Sequence, residues 1–272
     1  MHNPFVPETL EGWSVLHHMF RINWQKLQSL TPAARAEIAI EAVRAFKDGK
    51  EGHTGLVKML GHKAELMIIY FRKSFDDLAQ CEMNFVKTEL SHYVDMTTSY
   101  VSIVELGLYE MTSKIHQQLA ERSLKPGSPE FEEAFDAELH EQHNRMKGRL
   151  YSEIPNRRYV CFYPMNKRRG ESKNWYQEEY NRRGEMMLEH GIIGRHYTGK
   201  VTQIISGSIG FDDWEWGVDL FADDPLVFKK LIYEMRFDEA SAVYAEFGPF
   251  YIGLQFAAEN LNQFLEGMNP SL

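Results

Sequence analysis

The second half of the chain alternates between short apolar runs typical of strands and longer amphipathic segments typical of helices. Residues 158–165 are aromatic and β-branched, which favours a strand. Residues 175–190 have helical periodicity, and Gly191 stands where glycine commonly ends a helix. The pattern then predicts a strand at 199–209, a turn at 212–213 and a second strand at 214–221. A helix at 225–237 and a last strand at 243–256 follow. The order β-α-β-β-α-β is that of a ferredoxin-like unit.

The first half of the chain predicts the same order of elements. Its strands and helices are expected at 13–21, 31–46, 55–60, 65–72, 74–89 and 93–106. We therefore predict an α+β fold of two ferredoxin-like βαββαβ repeats, a dimeric α+β barrel within one chain. The pattern alone leaves two arrangements open, because the two sheets could pack face to face or close into a barrel.

Turn-forming residues divide the chain. Proline, glycine and serine are concentrated at 123–129, and a helix is predicted from Pro129 to about Leu150. We expect an N-terminal repeat at 1–122, a linker and connecting helix at 123–150, and a C-terminal repeat at 151–272.

Composition narrows the class of protein. The chain of 272 residues has 39 acidic residues against 30 lysines and arginines, a net charge of −9, which disfavours nucleic-acid binding. Two cysteines make no disulfide framework, and the beginning of the chain lacks the pattern of a signal peptide. No apolar run approaches the length of a membrane span. We expect a soluble, cytoplasmic protein without a membrane contact.

One face of the strand at 158–167 carries reactive side chains. By alternation, Tyr159, Cys161, Tyr163, Met165 and Lys167 point to the same side. This face places phenols, a thioether and an ammonium together, which indicates a binding or catalytic wall. An ordinary half-buried strand that ends in an extended lysine explains the pattern equally well.

Two further positions have both a structural and a functional interpretation. His190 falls on the apolar face of the predicted helix, where a neutral imidazole is a candidate heme ligand. The simpler interpretation is a histidine that is stabilised near a helix C-terminus. Gln203 is the single polar residue on its strand face, so its amide either contacts a ligand or bonds to the backbone.

Basic residues gather in this half of an acidic chain. The cluster consists of Arg145, Lys147, Arg149, Lys167, Arg168, Arg169, Arg182, Arg183 and Arg195. Arginine binds carboxylates and phosphates through paired hydrogen bonds, so an anionic ligand is one explanation and a solvated face is the other. His140 and His143 resemble a shortened zinc-protease motif, but no third ligand is apparent and a surface metal there is disfavoured.

Several sequence motifs together resemble one family. They are Tyr163-Pro164-Met165-Asn166-Lys167-Arg168, Asn174-Trp175-Tyr176, Glu189-His190-Gly191 and the run from Gly207 to Gly217. The chain is similar to the coproheme decarboxylases, the heme-synthesis branch of the chlorite dismutase family, most densely from about residue 149 to residue 253. It departs from the family at Gln177-Glu178-Glu179, where an apolar pair and a proline are common.

The resemblance implies a fold, an assembly and an activity. It implies a closed barrel, a homopentamer, and heme bound in a catalytic C-terminal repeat at 151–272. The N-terminal repeat at 1–122 is then expected to act as a scaffold without heme. The implied reaction converts coproheme III to protoheme by two oxidative decarboxylations, with hydrogen peroxide as oxidant. A transient contact with ferrochelatase is a further expectation.

The resemblance also assigns roles to residues. His190 matches the iron ligand, Tyr163 matches the tyrosine that becomes a radical, and Gln203 matches the distal glutamine. Lys167 matches a residue beside the reactive propionates. It is expected to act in catalysis together with Tyr163. The remaining expected contacts to the cofactor come from Arg149, Met165, Arg195 and Trp214, and Tyr159 and Trp214 are alternative radical sites.

Three other functions remain compatible with the sequence. A chlorite dismutase or dye peroxidase would use the same fold, but chlorite dismutases carry arginine where Gln203 stands. A heme-delivery protein would bind heme without catalysis. A regulatory ferredoxin-like module would bind no heme at all.

Overall fold

The computed structural model describes residues 6–46 and 51–272. Its strands are β1 Thr9–Ile22, β2 Gly52–Met59, β3 Leu66–Arg72, β4 Val94–Gly107, β5 Tyr159–Lys167, β6 Thr202–Gly207, β7 Trp216–Ala222, β8 Ala245–Phe247 and β9 Tyr251–Phe256. Its α-helices are α1 Trp24–Gln28, α2 Pro32–Phe46, α3 Phe75–Val86, α4 Tyr109–Glu121, α5 Pro129–Leu150, α6 Tyr180–Arg195, α7 Leu226–Met235, α8 Glu239–Ala242 and α9 Leu261–Leu265. None of these helices is long and apolar enough to cross a membrane.

The strands form one closed antiparallel barrel. Their order is β7-β6-β4-β1-β3-β2-β9-β5, and β5 pairs again with β7, so the sheet closes with four strands from each half. The two halves join where β4 pairs with β6 and where β2 pairs with β9. Closure removes the free sheet edges of the barrel and confirms the predicted fold class. The division into repeats at 122 and 150 stays a prediction.

Side chains fill the interior of the barrel. Along β1, Trp13, Val15 and Met19 point inward, as the two-residue period of a strand requires. They pack against inward residues of the second half such as Phe162 and Phe221. The interior is therefore a core that both halves share.

The outer faces of the two halves differ. Helices α2, α3 and α9 cover the first half through a continuous apolar cluster that includes Leu16, Phe20, Leu66, Ile68, Leu78, Phe85 and Phe264. Over the second half, α7 packs on β5 and β7 through a smaller cluster that includes Val218, Leu220, Phe228 and Leu231. Beside this smaller cluster the sheet and the helices leave a cavity.

Several predicted boundaries are wrong for local reasons. Residues 175–177 form a short 3₁₀ turn, α6 begins only at Tyr180, and it continues through Gly191 to Arg195. A glycine inside a helix costs only about 1 kcal/mol, so it does not by itself end one. Strand β6 is shorter than the expected 199–209.

Two further elements differ from the expectation. The expected strand 243–256 is two strands, β8 and β9, because the chain bends at Gly248, whose N–H bonds the carbonyl of Pro164 at 2.8 Å. Helix α4 was not expected, since Leu108 at its N-cap makes no side-chain capping bond. It packs on α5 through Ile115, Leu119, Phe131 and Phe135.

Helix α5 ends directly against β1. A Cβ atom added at Gly12 would lie 2.0 Å from the carbonyl oxygen of Leu150. The indole of Trp13 donates to the carbonyl of Ser152 at 3.0 Å. The connecting helix is thus held on the first strand by a close approach that only glycine permits.

We expect Gly12→Ala to lower the free energy of unfolding by about 1–3 kcal/mol, because backbone must move to admit the methyl group. Gly148, inside α5, is the matched control, since a Cβ atom there meets nothing within 4 Å. Gly148→Ala should raise stability by about 0.5–1 kcal/mol through helix propensity. Urea unfolding followed by tryptophan fluorescence measures both variants, and equal stability of the two would refute the packing argument.

Candidate functional site

A cavity of about 1610 Å³ lies between the outer face of the second half of the barrel and its helices. Strands β5, β6 and β7 contribute to one wall, α6 and α7 contribute to the other, and residues of β4, α4 and α5 also line the cavity. Apolar side chains line much of it, among them Met165, Met187, Ile205, Val218, Ile232 and Met235. A cavity of this size with an apolar lining and a few polar groups is typical of a site for a large organic ligand.

The structure brings seven of the eight expected site residues to this cavity. They are Arg149, Tyr163, Met165, Lys167, His190, Arg195 and Gln203. Trp214 is the exception, because it precedes β7 and packs against the cluster inside the barrel. Trp216, two residues later, lines the cavity instead.

His190 projects from α6 and is held by a carboxylate. Its Nδ1 lies 2.9 Å from Oδ2 of Asp238, and the hydroxyl of Ser241 lies 3.3 Å from the same nitrogen. Since the carboxylate accepts a hydrogen bond, we place the proton on Nδ1, which leaves the lone pair on Nε2. A carboxylate behind a histidine is the usual way to orient and strengthen a histidine metal ligand.

Asp238 is itself fixed by the protein. It is buried, it caps α8, and its Oδ1 accepts the N–H of Ser241 at 2.8 Å. Burial alone would raise the pKa of Asp238, but the hydrogen bonds from His190 and Ser241 hold the pKa below its ordinary value. Asp238 therefore stays ionised as the support of His190.

Lys167 ends β5 in a buried position. Its Nζ donates to the carbonyl of Ala240 at 3.0 Å and lies 4.3 Å from the ring centre of Trp175. Burial lowers the pKa of Lys167 to about 8, although Asp238 and Glu215 oppose the shift. With this pKa, the ammonium group can release a proton near neutral pH and the resulting amine can take one up.

Tyr163 lies on the same face of β5, four residues before Lys167. Its side chain is 3% exposed and stacks on Phe250 at 4.6 Å between ring centres. Burial raises the pKa of Tyr163 above its ordinary value, so its phenol is neutral in the resting protein.

Gln203 and the two arginines also belong to the polar lining of the cavity. Gln203 is half-buried on β6, while Arg149 at the end of α5 and Arg195 at the end of α6 are exposed. The cations therefore lie where the cavity opens to solvent, a position suited to carboxylates at the edge of a ligand.

Sequence reasoning missed the support of His190. Asp238 begins the segment Asp-Glu-Ala-Ser, which is the signal of a capped helix, but nothing in the sequence linked that cap to a residue 48 positions earlier. The contribution of α4 to the cavity through Tyr109 was missed with the helix.

No group of three or more His, Cys, Asp or Glu side chains suited to a metal ion is present in residues 6–46 and 51–272. A metal at His190 would therefore have to bring its other ligands with it, as a metalloporphyrin does. His140 and His143 are accordingly without a third protein ligand among the described residues.

The fold and the site define a class: a closed barrel of two ferredoxin-like repeats with one carboxylate-backed histidine in a large cavity. The chain belongs to the chlorite dismutase family, whose model matches residues 35–256. The resemblance in the sequence is thus confirmed for the family.

Two relatives illustrate the likeness. The chain is 41% identical over 265 residues to a coproheme decarboxylase of Staphylococcus saprophyticus, covering 95% of this chain and 97% of that one. The structure of a heme-binding protein from Thermus thermophilus is similar with a TM-score of 0.81 and 39% identity, covering 98% of this chain and 100% of that one. The chain spans only 41% and 47% of the length of relatives from Natronomonas pharaonis and Haloquadratum walsbyi.

Proposed function

We propose that this protein is a coproheme decarboxylase that converts two propionates of coproheme III to vinyl groups with hydrogen peroxide and releases protoheme. The observation that carries the proposal is the pairing of His190 and Asp238 in a cavity that also holds Tyr163, Lys167 and Gln203. The near full-length identity to a relative named coproheme decarboxylase supports it.

The residues fit an iron porphyrin. His190 offers one nitrogen lone pair, and the macrocycle supplies the ligands that the protein lacks. The apolar walls suit the ring, and Arg149 and Arg195 at the opening suit the propionates. Coproheme is the substrate in this proposal and also the source of the iron.

The reaction balances with one peroxide for each propionate. A propionate side chain, hydrogen peroxide and one proton give a vinyl group, carbon dioxide and two waters. When bound, the iron would supply the site at which peroxide is reduced. Tyr163 would give up an electron and its phenolic proton, and then take a hydrogen atom from the propionate. Lys167, with its pKa of about 8, would hold or move a proton nearby.

In the direct test, purified protein is mixed with coproheme III and hydrogen peroxide is titrated in without oxygen. The porphyrins are then separated and their masses are measured by mass spectrometry. We expect a three-propionate intermediate and then protoheme, with the reaction complete after two peroxides. A shifted Soret band with no change in porphyrin mass would indicate heme delivery or another peroxidase instead. An unchanged spectrum would refute heme binding altogether.

Asp238→Asn should weaken coproheme binding by between about 10- and 100-fold, because the neutral amide no longer strengthens His190 as a ligand. Asparagine still caps α8, so the fold should persist. Asp223→Asn is the matched control, since Asp223 is exposed and pairs with Arg157. Titration of apoprotein followed by the Soret band measures both affinities, and equal affinities would contradict the supporting role.

We also propose that the protein assembles as a homopentamer, acts in the cytoplasm and meets ferrochelatase transiently. The support is the family resemblance. Light scattering after size exclusion tests the assembly against the 31.7 kDa mass of one chain, and a monomer would overturn it.

A further inference from the structure

Glu215 is a buried acid directly before β7, in the run from Gly207 to Gly217. It stands between Trp214, which packs inside the barrel, and Trp216, which lines the cavity. A carboxylate loses hydration when it is buried, so it is retained only where other groups replace the water. The partners of Glu215 therefore indicate its role.

Glu215 holds the end of β5 beyond the point where the pairing with β7 stops. The last pair between these strands is Met165 with Trp216, and Lys167 lies two residues farther on. The backbone N–H of Lys167 donates to Oε2 of Glu215 at 2.8 Å. In return, the backbone N–H of Glu215 donates to Oδ1 of Asn166 at 2.7 Å. Two bonds between side chain and backbone thus continue the attachment of β5 where the ladder has ended.

Lys167 is consequently fixed at both ends. Glu215 holds its backbone, and at the other end Nζ donates to the carbonyl of Ala240 at 3.0 Å and lies 4.3 Å from the ring centre of Trp175. The lysine lines the cavity from this fixed position. A displacement of the strand end would therefore displace the ammonium group.

The charge of Glu215 has a separate explanation, because a neutral glutamine could accept the same backbone N–H. Its Oε1 lies 3.5 Å from Nε of Arg169, whose side chain is 63% exposed, so this pair contributes little. Burial raises the pKa of Tyr176, and the carboxylate of Glu215 adds to the rise, so that phenol stays neutral. Burial lowers the pKa of Lys167, and the carboxylates of Asp238 and Glu215 oppose this shift. The charge thus favours the ammonium form of the lysine.

We propose that Glu215 is a positioning residue for the decarboxylation, because its carboxylate holds the strand end that presents Lys167 to the propionates and keeps this lysine protonated. The inference rests on the proposed function, in which Lys167 acts beside the reactive propionates. Glu215 is not among the residues that line the cavity, so it acts through Lys167 and not on the ligand. A protonated lysine attracts a carboxylate and has a proton to give.

Glu215→Gln removes the charge and keeps an oxygen that can accept the N–H of Lys167. In apoprotein labelled with ¹³C at the lysine Cε atoms, the ionisation of Lys167 is measured directly, and Lys167→Met identifies its signal. Because the carboxylate of Glu215 opposes the effect of burial, its removal should shift this ionisation to lower pH. In the loaded enzyme, the rate relative to the wild type should fall above neutral pH and recover as the pH is lowered, which a damaged fold would not do.

Glu215→Asp separates position from charge. Aspartate keeps the charge but is shorter by one methylene group, so its oxygen no longer reaches the N–H of Lys167 at 2.8 Å. We expect the ionisation of Lys167 to stay near that of the wild type. The rate of decarboxylation should fall by about 10- to 100-fold at every pH, since a small displacement of a catalytic group is costly.

The matched control is Glu246→Gln. Glu246 lies on β8 opposite Asn166, is exposed and pairs with Arg168 at 3.5 Å. Its substitution removes an acid beside the same strand end without removing a bond to Lys167. Both the ionisation of Lys167 and the rate of decarboxylation should remain those of the wild type.

An unshifted ionisation of Lys167 in Glu215→Gln, or a wild-type pH–rate profile in that variant, would overturn the proposal. If Glu215→Gln does not fold, a wild-type rate in Glu215→Asp would overturn it instead. A wild type that binds coproheme without decarboxylating it refutes the proposed function. The apoprotein titration then still decides whether Glu215 keeps Lys167 protonated.

Discussion

Tyr163→Phe is expected to leave coproheme binding intact and to abolish decarboxylation. The phenol lies inside the cavity, 3% exposed, and its ring stacks on Phe250, so phenylalanine preserves the packing and removes only the hydroxyl group. Without the hydroxyl there is no proton to release on oxidation and no oxygen to accept hydrogen from a propionate. Soret titration measures binding, and mass detection of the porphyrins measures the reaction.

The matched control is Tyr159→Phe. Tyr159 lies on the same strand face and packs against the cluster that contains Tyr163, but it is not among the residues that line the cavity. Its loss should leave decarboxylation unchanged. If Tyr163→Phe still forms protoheme and Tyr159→Phe does not, the assignment of the radical site moves to Tyr159.

The predictions that the sequence supported best concern the direction of side chains in the strands. The alternation along β5 placed Tyr163, Met165 and Lys167 on one face, and the structure puts all three in the same cavity. This worked because the direction of a side chain in a strand depends only on its parity. Trp214 shows the limit of that rule. It precedes β7, so the turn and not the alternation of the strand sets the direction of its side chain.

Contacts between distant elements could not be predicted in the same way. His190 was identified from its helix face, but its support by Asp238 depends on how α8 follows α7. Glu105 of β4 also lines the cavity, where β4 pairs with β6 to close the barrel. A single sequence indicates which face of a strand or helix each residue occupies. How the strands of the two halves pair depends instead on packing in three dimensions.

A buried pair inside the barrel links the two halves. Nε2 of His17 on β1 lies 3.0 and 3.1 Å from the carboxylate oxygens of Asp219 on β7, and both side chains are almost fully buried. The imidazole also stacks on Phe162 at 4.1 Å between ring centres. The pair therefore satisfies an acid that the apolar interior would otherwise leave without a partner.

His17→Leu should lower the free energy of unfolding by about 3–5 kcal/mol, because it leaves Asp219 buried without its partner. Asp219→Leu should cost less, about 1–3 kcal/mol, since it leaves a ring nitrogen rather than a carboxylate buried without its partner. The double variant should be more stable than His17→Leu alone, because two apolar side chains leave no polar group unsatisfied.

Glu82→Gln is the control at the neighbouring pair. Glu82 bonds His18 but is 49% exposed, so its loss should cost about 0–1 kcal/mol. Urea unfolding of the four variants measures the cycle, and strictly additive losses at His17 and Asp219 would show that the two side chains do not stabilise the barrel as a pair.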